Sequence, residues 1–243
     1  MEIPISLQQL LQNFETSGEI FAAGKRNTIK TFPYNGEIIS VKSFRVPDIF
    51  NKVVYRFFRK SKAKRSFEFA TILSTLGIGT PRPIAYQENY NWLGLTTSYY
   101  VCEHIEDVIT FREIIHNEDY SDRDTIIAEF SIFCYLLHQS GVEFLDHSPG
   151  NTLIKKQNGA SHYSFYLVDL NRMKFHDKLS FEASMNNLSR ITATHSIVEK
   201  MSAAYAEVSG LDYDLVYKTF WTNVSNFQKG VKRKKQIKQF FGI

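Results

Sequence analysis

Cysteine is scarce: the 243 residues contain two, Cys102 and Cys134, each in apolar, strand-like or helix-like surroundings. They make no metal-ligand spacing and read as small buried hydrophobes of a reducing compartment. Nor do His104, His116, His162, His176 and His195 form a close metal-ligand spacing. No stretch approaches the roughly 18 apolar residues that a membrane span needs, and the first residues lack a basic region followed by an apolar run. A cytoplasmic protein without a secretory leader is therefore expected. Repeats and low-complexity segments are missing as well, which argues against a solenoid. Neither charge dominates: 29 Lys and Arg against 25 Asp and Glu leave a net +4. That balance permits an anionic partner, but no stacking motif, zinc spacing or recognisable module accompanies it, so no nucleic-acid partner is expected. What is present is apolar and aromatic, with 20 Phe and 13 Tyr, enough to fill the core of one large domain or two small lobes.

Residues 1–20 show little regular pattern. From Phe21 to Val46 the chain reads as strands: a turn at Ala23 to Asn27, a strand about Thr28 to Phe32, the Asn35-Gly36 pair, and a strand from Ile38 to Phe44. An Asn-Gly pair between apolar runs is a strong hairpin signal. Lys42 lies inside the second of these strands, either as a solvated edge residue or as a charge placed to meet phosphate. A basic run follows, with Lys52, Arg56, Arg59, Lys60, Lys62, Lys64 and Arg65 and no acid between them. The segment after it is helical, with an apolar face of Phe67, Ala70, Ile72, Leu73 and Leu76, Glu68 near its start and Gly77 as its stop. Strands are expected at Ile84 to Gln87 and Leu93 to Cys102, separated by a turn at Asn89 to Asn91. A five-stranded sheet with one helix before its fourth strand accounts for this half. Glu103 to Asp107 reads as the crossing between lobes, where backbone groups of Glu103 to Ile105 would meet an adenine edge. Thereafter helices dominate: a short turn at Phe111 to Ile115, then helices at Arg123 to Gln139, Phe181 to Leu188, Ile197 to Val208 and Tyr213 through Val224, with a basic tail at Lys229 to Lys238.

The chemistry concentrates between His138 and Asp169. Asp146 and Asn151 stand five positions apart in a turn-rich segment broken by Pro149-Gly150, and Asp169 ends an apolar strand at Phe165 to Val168. These residue types are also those of ordinary surface turns. In this order they match kinase-like phosphoryl transfer, where one Asp orients the acceptor hydroxyl and an Asn and a second Asp hold Mg2+. Mg2+ takes hard oxygen ligands, commonly one or two side chains plus phosphate and water. Lys42 would then meet the phosphates of ATP and Glu68 would hold Lys42 toward them. His138 and His147 read as structural residues, with a substrate contact left open for His147. Arg172 would pin the metal loop or meet a substrate carboxylate.

The stretches VKSF, YRFFRKSKAKRSFEFATILSTLGIGTPRPIAY, LHQSGVEFLDHSPGNTLI and YLVDLNRM resemble the lipopolysaccharide kinases that phosphorylate Kdo or heptose sugars of the inner core. That family is a branch of the protein-kinase-like superfamily, and the resemblance runs from about Gly24 to Phe175. It implies an α+β, protein-kinase-like bilobal fold: an N-terminal antiparallel β-sheet lobe with one helix over residues 1–103, and a mainly helical C-terminal lobe over 104–243. It implies Asp146 as the catalytic aspartate, with Lys42 and Glu68 beside it; Gly24, Lys42, Glu103 and Ile105 on the nucleotide; and Asn151 and Asp169 on the metal. ATP and Mg2+ are the implied cofactors. The implied acceptor is a sugar hydroxyl of a lipopolysaccharide core glycolipid or related anionic sugar, with Arg172, Lys62 and Arg65 as substrate contacts. A protein, a soluble sugar or a non-catalytic scaffold role are the alternatives. Departures from protein kinases are clear. No glycine-rich run stands at Gly24, so Lys25, Arg26 and backbone donors would cover the phosphates. Ser148 replaces the usual lysine, as in RIO-type kinases; the metal triplet is Asp169-Leu170-Asn171, and no long activation segment follows. The tail joins Lys232, Arg233, Lys234, Lys235 and Lys238 to Ile237, Phe240, Phe241 and Ile243. It is either a frayed end or a peripheral contact with the inner face of a Gram-negative inner membrane.

Overall fold

The computed structural model describes residues 3–24, 27–45, 60–157 and 162–240. Lys25, Arg26, Lys52, Arg56, Arg59, Phe241 and Ile243 lie outside them. The chain divides into one unit of Met1–Glu106 with Asp169–Asn171, and another of Asp107–Val168 with Arg172–Ile243.

In the first unit, alternation along the strands gives each sheet face its own helix. Strands β1 (Glu19–Ala23), β2 (Asn27–Tyr34), β3 (Glu37–Arg45), β4 (Pro83–Asn91) and β5 (Gly94–Glu103) form one antiparallel sheet in the order β1-β2-β3-β5-β4. The β2–β3 turn uses Asn35 and Gly36 at φ of 50° and 83°, the left-handed pair such a tight hairpin demands. Phe32, Ile39, Val41, Ala85, Tyr99 and Val101 pack with Leu7 and Leu11 of helix α1 (Ile5–Gln12) and with Phe14. The opposite face carries Lys42, Phe44, Tyr86 and Tyr100. Helix α2 (Lys62–Thr75) covers it, with Phe67 against Tyr86 at 5.4 Å and Lys62 Nζ 5.9 Å from the Phe44 ring centroid.

Three features of this unit depart from expectation. Residues 1–20 are patterned after all, because α1 shows its two core positions only against the sheet. Its exit is pinned by Lys30 of β2, a buried lysine whose Nζ donates to the carbonyls of Phe14, Glu15 and Ser17 at 2.6, 3.1 and 3.0 Å. In α2 the buried positions are Ala63, Ser66, Ala70 and Leu73, whereas Ile72 and Leu76 stand partly exposed. Small side chains let the helix lie close on the sheet. Strand β4 also runs on through the turn expected at Asn89 to Asn91, because Asn89 and Asn91 pair with Thr97 and Gly94.

The second unit is mainly helical. Helix α3 (Phe111–His116) replaces the expected turn, held by a capping box in which Glu113 accepts from the Thr110 amide and hydroxyl at 2.6 and 2.9 Å. Helices α4 (Arg123–Gln139), α5 (Phe181–Leu188), α6 (His195–Ser209) and α7 (Tyr213–Phe240) enclose a core that includes Phe111, Phe130, Met185, Met201 and Phe220. Strands β6 (Ile109–Thr110), β8 (Thr152–Lys156) and β9 (Tyr163–Leu167) form a small sheet, and β7 (Val142–Phe144) pairs with β10 (Met173–Phe175). Helix α7 does not end at Val224, its last buried position, but continues through the basic tail. Among the described residues no helix is long and apolar enough to cross a membrane. Burial pushes the Cys102 thiol up to about 12 and the Cys134 thiol well above its usual range, which leaves both unreactive.

Candidate active site

In the first unit the chemistry gathers on the α2 side of the sheet. Lys42 is held in β3 between Ile29 and Tyr100. Its Nζ donates to Asp169 Oδ1 at 2.9 Å, and this pair joins residues 127 positions apart. Asp169 sits at φ 60°, an uncommon backbone setting for a residue with a Cβ. Asn171 supports it twice, its Nδ2 donating to Asp169 Oδ1 at 2.6 Å and its amide to Asp169 O at 2.8 Å. This interaction network places Asp169–Asn171 with the first unit, although the expected division assigned them to residues 104–243.

Glu68 does not hold Lys42. Both of its carboxylate oxygens accept from Lys60 Nζ, at 3.0 and 2.8 Å, so the helix acid is spent on the basic run that precedes it. Arg65, expected on the substrate, instead donates from Nη1 to Asn171 O at 2.7 Å. Lys62 lies over Phe44. The Gly24 amide donates to Asn27 O at 2.9 Å. The amides of Glu103 and His104 donate to Arg82 O and Ile38 O, and among the described residues none accepts from the Ile105 amide.

In the second unit, β7 leads into the loop that presents Asp146, and a single 3₁₀ turn at Pro149–Asn151 follows. Asn151 Nδ2 donates to Asp146 O at 2.9 Å and the Asn151 amide to Ser148 O at 2.9 Å, which lock the loop onto itself. Gly141, at φ 71°, enters β7 where an added Cβ would lie 1.9 Å from His176 O, so only glycine fits. Two guanidinium groups share Asp146 Oδ1: Arg172 Nη1 at 3.3 Å and Arg190 Nη1 at 3.1 Å. Arg172 is thus on the aspartate of its own unit. Arg190, which follows α5, carries no local motif and was not legible in the sequence.

His138 and His147 underlie this loop as structural residues. His147 is fully buried, stacked on Phe144 at 5.4 Å, and neither ring nitrogen has a hydrogen-bond partner among the described residues. That placement removes the substrate contact left open for it. Burial pushes it down to about 4. Asn187, the neighbour that would oppose this, donates from its Nδ2 to Phe144 O at 2.8 Å and accepts at its Oδ1 from His138 Nε2 at 3.3 Å. Burial, with the His147 ring beside it, pushes His138 down to about 3. Both values lie below the ordinary 6.5, so the unfolded chain takes up protons first as pH falls. Neither ring makes stability pH-dependent above about pH 7; each costs roughly 1.4 kcal/mol per pH unit between about pH 6.5 and 4. The thermal midpoint is expected to drop steeply from pH 7 to 5, and His147→Leu to make that slope shallower. A wild-type midpoint flat across this window would contradict the buried neutral assignment.

The donor atoms suit Mg2+. Asn151 spends its Nδ2 on Asp146 O, which leaves its Oδ1 for a cation, and Asp169 has Oδ2 beside the engaged Oδ1. Among the described residues no three His, Cys, Asp or Glu side chains cluster as a metal site, so a Mg2+ held by either residue would take further ligands from phosphate and water.

The fold is shared with kinases. A structure of WaaP in complex with acyl carrier protein superposes with a TM-score of 0.63 at 13% identity, covering 96% of this chain and 97% of that one. The Rio2 kinase–ADP/Mg2+-phosphoaspartate complex from Chaetomium thermophilum gives 0.52 at 16% identity, covering 93% and 76%. No curated protein matches the sequence. The α+β architecture, an antiparallel sheet unit followed by a helical one, is therefore protein-kinase-like. Residues 46–208 match the model of the lipopolysaccharide kinase (Kdo/WaaP) family, so the chain belongs to that family and is a phosphotransferase. The match begins after Lys42, so the part played by Lys42 rests on its ion pair with Asp169.

Proposed function

We propose that this lipopolysaccharide kinase transfers the γ-phosphate of ATP, as its Mg2+ complex, to a Kdo or heptose hydroxyl of the inner core. The observation that carries the reading is the Lys42–Asp169 ion pair on the Asp-Leu-Asn turn, with Asp169 in the left-handed region. Phosphoryl transfer needs little covalent help from a protein; it needs charge neutralised and groups aligned. In this reading Lys42 binds phosphate oxygens, Asp146 orients the acceptor hydroxyl and takes its proton, and the Ile105 amide is the backbone donor left for the adenine edge. Mg2+ bound through Asn151 and Asp169 would supply charge stabilisation on the transferring phosphoryl group. Arg172 and Arg190 keep the Asp146 carboxylate in one rotamer. Lys62, which lies over Phe44, contributes positive charge toward an anionic glycolipid.

Helix α7 ends with Lys232, Arg233, Lys234, Lys235 and Lys238 on its exposed last turns, together with exposed Ile237 and Phe240. Each such cation adds about 1 kcal/mol near an anionic bilayer, which supports a peripheral contact with the inner leaflet where the acceptor is made. One experiment addresses both proposals. The protein is mixed with ATP, Mg2+ and dephosphorylated lipid A–core in anionic vesicles, then the vesicles are sedimented and the glycolipid is weighed by mass spectrometry. The expected result is one added phosphate, dependent on ATP and Mg2+, with the protein in the pellet at low salt. Phosphate gained by a soluble sugar or protein panel but not by the glycolipid would overturn the acceptor. Protein left in the supernatant would overturn the membrane contact.

A further inference from the structure

The first unit contains a polar chain that the expected Lys42–Glu68 pair would have made unnecessary. From α2, Ser66 Oγ donates to Asn171 Oδ1 at 3.2 Å and Arg65 Nη1 donates to Asn171 O at 2.7 Å. From Asn171, Nδ2 reaches Asp169 Oδ1 at 2.6 Å and the amide reaches Asp169 O at 2.8 Å. Ser66 is buried on the inner side of the helix, so its hydroxyl has a fixed direction. Asn171 is satisfied at both ends of its amide, with the helix on its oxygen and the aspartate on its nitrogen. Glu68, two residues beyond Ser66, faces Lys60 and takes no part.

We infer that helix α2 positions the metal-binding Asp169 through Asn171, with Arg65 and Ser66 as the positioning residues, and not through an acid on Lys42. The physical need is local. Asp169 stands at φ 60°, and a carboxylate on such a backbone holds its direction only if its neighbours over-determine it. Lys42 alone supplies one flexible donor to Oδ1. Asn171 adds a second donor to Oδ1 through Nδ2 and ties the Asp169 carbonyl through its amide, and Ser66 and Arg65 fix Asn171 in turn. The third residue of the Asp-Leu-Asn triplet thereby becomes a coupling element, and a shift of α2 would be transmitted to the metal-binding carboxylate.

This inference rests on the proposed metal role of Asp169, so its test separates the two. Calorimetry measures binding of ADP alone, and of Mn2+ in the presence of ADP, to wild type and to Ser66→Ala, Arg65→Gln, Arg65→Lys, Asn171→Ala and Glu68→Gln. Wild type is expected to bind Mn2+ with ADP. Asn171→Ala should weaken Mn2+ about tenfold and Ser66→Ala about threefold, the scale of one lost hydrogen bond to a charged or neutral group. Ser66→Ala added to Asn171→Ala should change nothing further, because the two share one bond. Arg65→Gln should weaken Mn2+ binding and Arg65→Lys restore most of it, while affinity for metal-free ADP and the thermal midpoint stay near wild type. Parallel loss of ADP affinity and thermal stability would reduce these residues to a structural role and overturn the inference. So would a strong effect of Glu68→Gln with none from Asn171→Ala. A wild-type protein that binds no Mn2+ with ADP would overturn the metal role itself, and the coupling with it.

Discussion

Asp146→Asn is expected to lower turnover on the sugar acceptor by about a thousandfold, within the range set by loss of a positioned base, with ATP affinity and thermal midpoint nearly unchanged. The substitution is close to silent in every respect but one. Asn151 Nδ2 bonds the backbone carbonyl of residue 146, so the loop keeps its lock. Arg172 and Arg190 both address Oδ1, and an amide oxygen still accepts from them. What an amide cannot do is accept the hydroxyl proton of the sugar. Steady-state kinetics with the glycolipid acceptor decides the matter, since KM for ATP should hold while kcat collapses. Turnover within a few fold of wild type would remove Asp146 from the chemistry.

Asp169→Asn is expected to lower kcat/KM for ATP by about a hundredfold to a thousandfold and to abolish saturation by Mg2+ at ordinary concentrations. Asparagine tolerates the left-handed setting at φ 60° about as well as aspartate, so the turn itself should persist. The loss is of charge. Asp169 offers the carboxylate to which Lys42 Nζ is bound at 2.9 Å, and a neutral amide would neither hold a divalent cation as well nor fix that ammonium. Lys42→Met in the Asp169→Asn background should therefore cost far less than Lys42→Met alone, because groups that act as a unit are not additive. Mg2+ titrations of the four proteins test this. Full additivity, or a single variant that saturates with Mg2+ as wild type does, would show that the pair is not one functional element.

Several parts of this protein were legible before any coordinates. Helix α4 runs from Arg123 to Gln139 and α5 from Phe181 to Leu188, as their periodicity required, and the Asn35-Gly36 hairpin lies where that pair demanded. These features depend on neighbours within a turn or two, and so they can be read along the chain. Helix α1 was not legible, because its two buried leucines are a weak pattern until Lys30 and the sheet select it. Of the apolar face expected for α2, Ala70 and Leu73 are buried but Ile72 and Leu76 are not, and the sheet also takes the small Ala63 and Ser66, which no apolar pattern marks.

Sequence alone determined the local settings of the candidate residues: Lys42 in a strand, Asp146 and Asn151 after a short strand, and Asp169 just beyond another. It determined this because such side chains are placed by short-range backbone preferences that composition and spacing encode. Tertiary structure alone decided the partners. Lys42 went to Asp169, Glu68 to Lys60, Arg65 and Ser66 to Asn171, and Arg190 to Asp146. A charged side chain binds whichever opposite group the folded backbone brings within about 3 to 4 Å, and sequence separation carries almost no information about that distance.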